Sequence, residues 1–108
     1  MANPWAGEAS LRIDGEVRVL KLTLGALAEL EAELDGGTLV ELVSRFEAGD
    51  VRTRDVLALI VAGLRGGGWT GRAADLVHAE IDGGVVEAAR VAALLLARAF
   101  TVPAGSQA

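Results

Sequence analysis

One segment, TRDVLALIVAGL from Thr53 to Leu64, constrains the fold more than any other part of the chain. Its apolar residues recur at helical spacing, and Asp55 falls in the first turn, where the helix dipole favours a negative charge. The predicted inward face is Val56, Leu57, Ile60, Val61 and Leu64. Leu59 lies outside that face, so this third helix is apolar nearly all round. Such a helix is predicted to be central and covered by other elements.

Two shorter helices are predicted ahead of this segment. Thr23 can cap the first of them, which ends at the glycine pair Gly36-Gly37. Thr38 and Glu41 fit a capping box at the start of the second, in which each side chain reaches the free backbone amide of the other residue. The predicted inward faces are Leu24, Leu27, Leu30 and Leu34 in the first helix and Leu39, Leu42, Val43 and Phe46 in the second.

Two more helices are predicted after the central segment. Thr70 is the expected N-cap of the fourth, and Asp82-Gly83-Gly84 is expected to end it. The inward residues of this fourth helix are predicted to be Leu76, Val77 and Ile81. The fifth runs from about Val85 to Phe100. Because Pro103 is incompatible with much further helix, we expect one domain over residues 1–102 and a flexible tail over residues 103–108.

An antiparallel hairpin is predicted near the N-terminus. Residues 11–13 and 17–19 alternate apolar and charged side chains, which is the strand period, and Asp14-Gly15 between them indicates a turn. A two-residue turn would place Glu16 and Arg18 opposite the apolar residues of the first strand. Because burial usually sets the register, we predict a bulged turn that gives the pairs Ile13–Val17 and Leu11–Val19.

Together these elements predict a mainly α (α+β) fold. An N-terminal β-hairpin at about residues 9–22 precedes about five helices at about residues 24–100, packed as a small bundle. Two tryptophans, two phenylalanines and no tyrosine leave alanine, leucine and valine to fill the core, which favours packed helices over a large sheet. The chain has no cysteine, which excludes disulfides and thiolate metal sites.

Charge and hydropathy narrow the class of protein further. The net charge is −5 and the lysine and arginine residues are scattered, whereas nucleic-acid binding needs clustered positive charge. The longest apolar run, from Val56 to Leu64, is shorter than the roughly 20 residues of a membrane span. A secretion signal would show a basic segment followed by an apolar one, and the N-terminal residues do not have this pattern. We therefore expect a soluble, cytoplasmic protein that binds neither nucleic acid nor membrane.

The stretch LRGGGWTG, from Leu64 to Gly71, is the part of the sequence that could cradle a phosphate. The common phosphate loop needs the pattern G-x-x-x-x-G-K-[ST] after a buried strand. Here the three glycines 66–68 follow a helix, lack a lysine and precede Trp69. We interpret the run as a helix C-cap and turn, with Trp69 as a hydrophobic anchor.

No catalytic, cofactor or metal site is predicted. His78 is the one histidine, and on a helix Asp75 and Asp82 would share its face. A lone histidine with such neighbours is most often a solvated surface group. None of the serines lies in a G-x-S-x-G motif. The sequence therefore predicts a protein that is not an enzyme.

The fifth helix carries two apolar stripes. One stripe is enough to dock the helix on the core, and it consists of Val85, Ala89, Ala92, Leu96 and Phe100. The second stripe projects at a different angle, and it consists of Val91, Leu94 and Leu95. Either the helix is buried on both sides, or the second stripe is an exposed surface that meets a partner, with Leu59 as its companion. The candidate partner-binding residues are Leu59, Val91, Leu94 and Leu95.

Several stretches together carry a resemblance to a known family. These are the opening NPWAGE, the hairpin that leads into LTLGALAELE, the segment LRGGGW after an apolar helix, and the final ARVAALLLARAF. In this order they resemble the small gene-transfer-agent and phage proteins placed among the tail assembly chaperones, some of which are labelled tail tube proteins. The likeness spans the chain from Asn3 to about Phe100.

The resemblance implies a non-enzymatic tail assembly chaperone that binds and shields apolar helices of the tape measure protein, in the cytoplasm of a bacterial host. The alternative that it implies is a structural tail tube component, a role that a single hairpin disfavours. The tail tube protein is a further expected partner. A free strand edge could also pair with a second copy of the chain and form a homo-oligomer.

Overall fold

The computed structural model describes residues 7–34 and 37–100, which form an antiparallel hairpin followed by five helices. The elements are β1 (Glu8–Ile13), β2 (Glu16–Lys21), α1 (Leu24–Glu33), α2 (Leu39–Ala48), α3 (Thr53–Gly66), α4 (Ala73–Leu76) and α5 (Gly84–Phe100). The predicted fold class is confirmed. The predictions for Gly36, for residues 103–108 and for the NPW motif fall outside the described residues.

Helix α3 lies at the centre of the fold, where it contacts β2, α1 and α5. Leu59, Ile60 and Leu64 are at most 2 % exposed, and Val56 and Val61 are also buried. Leu57, which was expected to face inward with them, is half-buried. The central position predicted from the apolar periodicity of this helix is confirmed, because its side chains are covered from several directions at once.

The hairpin has a tight two-residue turn, and the predicted bulged register is wrong. Ile13 pairs with Glu16 and Leu11 pairs with Arg18. Asp14 and Gly15 both have positive φ, at 51° and 81°, as the favoured two-residue hairpin turn requires. The physical reason for this register is Leu20, which is fully buried.

Side chains alternate along a strand, so the burial of Leu20 decides where the rest of β2 faces. Val17 and Val19 are turned to the other side of the strand, and Val17 is 59 % exposed. Glu16 and Arg18 share the side of Leu20, but they extend beyond the core and form an ion pair of 3.2 Å with each other. One leucine deep in the core therefore outweighs two valines near the turn.

Helix α4 is shorter than predicted, and its N-cap residue is Arg72 rather than Thr70. The predicted inward residue Val77 is 61 % exposed. Ile81 lies outside the helix and forms an isolated β-bridge with Ile13 of β1. Two backbone hydrogen bonds secure this bridge, from the Asp14 N–H to the Glu80 oxygen and from the Asp82 N–H to the Arg12 oxygen. The chain leaves the helix early because the strand edge offers these backbone partners.

The predicted caps of α1 and α2 are confirmed. The Thr23 hydroxyl accepts a hydrogen bond from the Ala26 N–H at 3.1 Å. Thr38 and Glu41 form the reciprocal capping box, with distances of 2.9 and 3.2 Å. In α1, however, the predicted inward residue Leu24 is 85 % exposed, and Ala26 is buried instead.

Candidate functional site

Most of the predicted partner-binding surface is not accessible. Leu59, Val91 and Leu95 are each 0 % exposed and belong to the hydrophobic core, and Leu94 is partly exposed. Of the two alternatives that the sequence leaves open for this stripe, burial on both sides therefore holds at three of the four positions. Helix α5 packs between β1 and α3, and that position covers the stripe. A partner could reach these three side chains only by opening the core.

The stripe that was expected to dock α5 on the core does so only in part. Ala92 and Leu96 are buried as predicted, and Ala89 is partly buried against the core. Val85 and Phe100, at the two ends of the helix, are 67 % and 52 % exposed. The helix is thus rotated toward its second stripe. Its solvent side carries Val86, which is 81 % exposed.

The glycine run is a structural connector, as predicted, and it also allows a close approach between α3 and β2. A side chain at Gly66 would place its Cβ 1.8 Å from the Lys21 carbonyl oxygen. At Gly67 the Cβ would lie 2.1 Å from the Val19 carbonyl oxygen. Gly63, one turn earlier on the same face, packs against Leu20, whose Cβ would be 3.1 Å from an added Cβ. Glycines spaced three and four residues apart therefore let strand β2 lie directly on α3.

Beyond the helix, the run reverses the direction of the chain. Gly67 caps α3, and the Trp69 N–H donates to the Leu64 oxygen at 2.9 Å. The Trp69 side chain packs against the core, as expected for an anchor. The backbone amides of the run are thus engaged in ending the helix, which agrees with the interpretation of the run as a connector.

His78 and its two acidic neighbours do not form a common site. Helix α4 ends at Leu76, so the helical face that would have aligned the three side chains does not exist. Asp75 accepts a hydrogen bond from the Arg72 N–H at 2.8 Å, and Asp82 forms an ion pair with Arg12 at 3.4 Å. In residues 7–34 and 37–100, no group of three His, Cys, Asp or Glu side chains could hold a metal ion.

Asp55 is the buried charged residue of the core, and its partners are structural. Arg45 of α2 donates two hydrogen bonds to its carboxylate, at 3.0 and 3.1 Å, and the Arg52 N–H donates a third at 3.2 Å. Burial by itself raises the pKa of Asp55, but these hydrogen bonds and the neighbouring arginine charges outweigh it and leave the pKa below its ordinary value. The ion pair between Arg45 and Asp55 joins α2 to the start of α3.

An open groove lies along one face of α3, and we call it the α3 groove. Its floor consists of half-buried and buried apolar side chains of α3, with Leu30 of α1 beside them, and it encloses about 450 Å³. The floor residues of α3 are Leu57, Ala58, Val61 and Ala62. The charged residues at its rim are Glu29 and Glu33 on α1, Arg54 and Arg65 on α3, and Arg72 at the start of α4.

The charges at the rim differ in how far they are already neutralised. Arg65 forms an ion pair with Glu29 at 3.3 Å and donates to the Gly71 oxygen at 3.2 Å. Arg54 and Arg72 are exposed, and neither forms an ion pair with another described residue. The sequence did not lead us to predict this groove, although Leu57, Ala58, Val61 and Ala62 have the spacing of one helical face. Leu57 and Val61 belong to the predicted inward face of α3, whereas Ala58 and Ala62 do not. In the structure Leu57 and Ala58 are half-buried, and Val61 and Ala62 are buried.

No helix among the described residues is both long enough and apolar enough to cross a membrane. The fold is that of a small, mainly helical protein with an N-terminal β-hairpin.

Comparison with known proteins gives the family. Residues 6–102 match the family described as phage tail tube protein, GTA-gp10. The chain belongs to this family, because the match covers most of its length. The comparisons with curated proteins and with solved structures each found no match. The resemblance to proteins of phage and gene-transfer-agent tails is thereby confirmed, but the family description does not specify an assembly chaperone.

Proposed function

We propose that this chain is a non-enzymatic structural component of a phage-like tail that acts through contact with the tail tube. The observation that carries the proposal is the family match over residues 6–102, which extends from the hairpin to the end of α5. The family is described as a tail tube protein, and a role at the tube is the simplest function consistent with that description.

The chain exposes apolar side chains that a neighbouring subunit could cover. Several large apolar side chains lie at the surface at separate places, including Val17 on the hairpin, Val40 on α2 and Val86 on α5, which are 59 %, 75 % and 81 % exposed. Subunits of an assembly bury such side chains against their neighbours.

The proposal assigns no chemistry to His78, because Asp75 and Asp82 are each engaged with other residues.

A second candidate is a tail assembly chaperone that shields apolar helices of the tape measure protein, and the hairpin favours it. A tube wall built from continuous sheet needs strand edges that neighbouring subunits can extend. Here α3 lies on β2 through Gly66 and Gly67, and Ile81 bridges to one end of β1. A chaperone needs no such edge, because it requires only an apolar surface for helices.

Mass spectrometry of purified particles distinguishes the two candidates. A tube component is expected in the finished tail at a fixed ratio to the other tail proteins. A chaperone is expected to be absent from particles and to co-purify with the tape measure protein when the two are co-expressed. Absence from the particle together with no co-purification would contradict both. Light scattering on the isolated chain tests in parallel whether it forms a homo-oligomer.

A further inference from the structure

We propose that the α3 groove binds a single amphipathic helix of a partner protein, and that acidic residues flank the apolar stripe of this helix. The stripe lies on the apolar floor, and the acidic residues face Arg54 and Arg72. The inference deepens the chaperone candidate and rests on it for the identity of the partner, but the chemistry of the partner follows from the groove.

The shape of the groove fits a helix. Its floor residues on α3 recur at intervals of one, three and four, which form a straight stripe along one side of that helix. Leu57 and Ala58 are half-buried, so a second helix can contact them directly and approach closely at the alanine. Val61 and Ala62, at 9 % and 4 % exposed, offer it little surface. Arg54 and Arg65 mark the two ends, about 16 Å apart along α3, or three helical turns.

The distribution of polar groups also favours a helix over a small molecule. Sites for small molecules bring a few polar groups together at one point of an apolar pocket. In the α3 groove the charged groups come from α1, from the two ends of the stripe on α3 and from the start of α4. An elongated partner can meet all of them, whereas a compact ligand of this volume could meet only some.

The charge of the partner helix follows from the unpaired groups at the rim. Arg65 is already paired with Glu29, so the rim charges without an ion-pair partner among the described residues are the guanidinium groups of Arg54 and Arg72 and the carboxylate of Glu33. Two free positive charges face one free negative charge in a chain whose net charge is −5. Glutamate or aspartate beside the apolar stripe of a partner would be attracted by both Arg54 and Arg72 and repelled only by Glu33.

The experiment uses the full chain and designed peptides of about 18 residues, long enough to form helix once bound. One fluorescently labelled peptide carries a leucine and alanine stripe flanked by glutamate. A second has the same stripe flanked by lysine, and a third has the glutamate composition with the stripe scrambled. Fluorescence anisotropy is expected to show that the glutamate peptide binds about tenfold more tightly than the lysine peptide. The scrambled peptide is expected not to bind.

The double variant R54E/R72E is expected to weaken binding of the glutamate peptide about tenfold and to reverse the preference toward the lysine peptide. The matched control is Arg18→Glu, an exposed arginine on the hairpin outside the groove, which is expected to leave binding unchanged. Ala58→Trp would fill the floor and abolish binding. Should this variant fail to fold by circular dichroism, the double variant at the exposed rim still decides the question.

Equal binding of the glutamate and lysine peptides, or the same loss in R18E as in R54E/R72E, would overturn the inference. A self-association of the chain that R54E/R72E abolishes would also overturn it, because the occupant would then be a second copy. Binding of the glutamate peptide without co-purification of the tape measure protein would keep the groove and remove the chaperone candidate. If the tape measure protein co-purified equally well with the R54E/R72E variant, the chaperone candidate would stand and the α3 groove would be excluded as its binding site.

Discussion

Replacing Gly66 by alanine is predicted to destabilise the fold strongly, because strand β2 occupies the space that a side chain would need. The added Cβ would lie 1.8 Å from the Lys21 carbonyl oxygen and 3.0 Å from its carbonyl carbon. Carbon and oxygen ordinarily approach no closer than about 3.3 Å, so α3 and β2 would have to separate locally by about 1.5 Å. The obstacle is backbone, which cannot rotate away. We expect a loss of about 3 kcal/mol in the free energy of unfolding.

Two other glycines provide controls for this substitution. Gly25 lies in α1, and the nearest atom to an added Cβ would be the Thr23 hydroxyl oxygen at 4.0 Å. Gly25→Ala is therefore expected to stabilise by about 0.5 kcal/mol through helix propensity alone. Gly68 has open space around it but a φ of +105°. Gly68→Ala is expected to cost about 1 kcal/mol through backbone strain without any steric clash.

Urea unfolding followed by circular dichroism measures all three variants on the same scale. With a typical dependence on urea for a domain of this size, a loss of 3 kcal/mol lowers the midpoint by about 1.5 M. Gly66→Ala should show the largest loss, Gly68→Ala a smaller one and Gly25→Ala a slight gain. If Gly66→Ala unfolded at the same midpoint as the unmodified chain, the close packing of β2 on α3 would be wrong.

Three further predictions concern other contacts, each measured by the same unfolding assay. Asp55→Asn should lower the free energy of unfolding by about 2 kcal/mol near neutral pH. Because folding lowers the Asp55 pKa, this loss persists above the ordinary pKa of 3.8. It disappears as the pH falls through the lower pKa of the folded state. Leu95→Ala should cost about 3 kcal/mol and Leu94→Ala less than about 1 kcal/mol, and equal losses would contradict the rotation of α5. Thr38→Ala should cost about 1 kcal/mol through loss of the capping box, whereas Ser44→Ala should change little.

The burial of the predicted stripe changes where a partner is to be sought. Substitutions at Val91 or Leu95 would remove core packing, so any loss of partner binding in such variants would report unfolding as well as contact. Arg54 and Arg72 do not have this ambiguity, because both are exposed at the rim of the α3 groove. Binding studies on this family member should begin there.

Local chemistry determined much of the fold from the sequence alone. Thr23 and Thr38 each have a hydroxyl where a helix must begin, and hydrogen bonds of that kind depend only on residues a few positions away. The central position of α3 was likewise readable, because a helix that is apolar nearly all round has to be covered. The glycine run could be recognised as a helix end for the same local reason.

Tertiary structure decided which apolar side chains were covered. The hairpin register depends on the burial of Leu20 in a core built by α3 and α5. The residues near the turn do not by themselves predict this burial. The orientation of α5 and the early end of α4 also depend on distant partners, β1 among them. Periodicity shows that a face is apolar, but burial depends on what packs against it, and that is a property of the assembled chain.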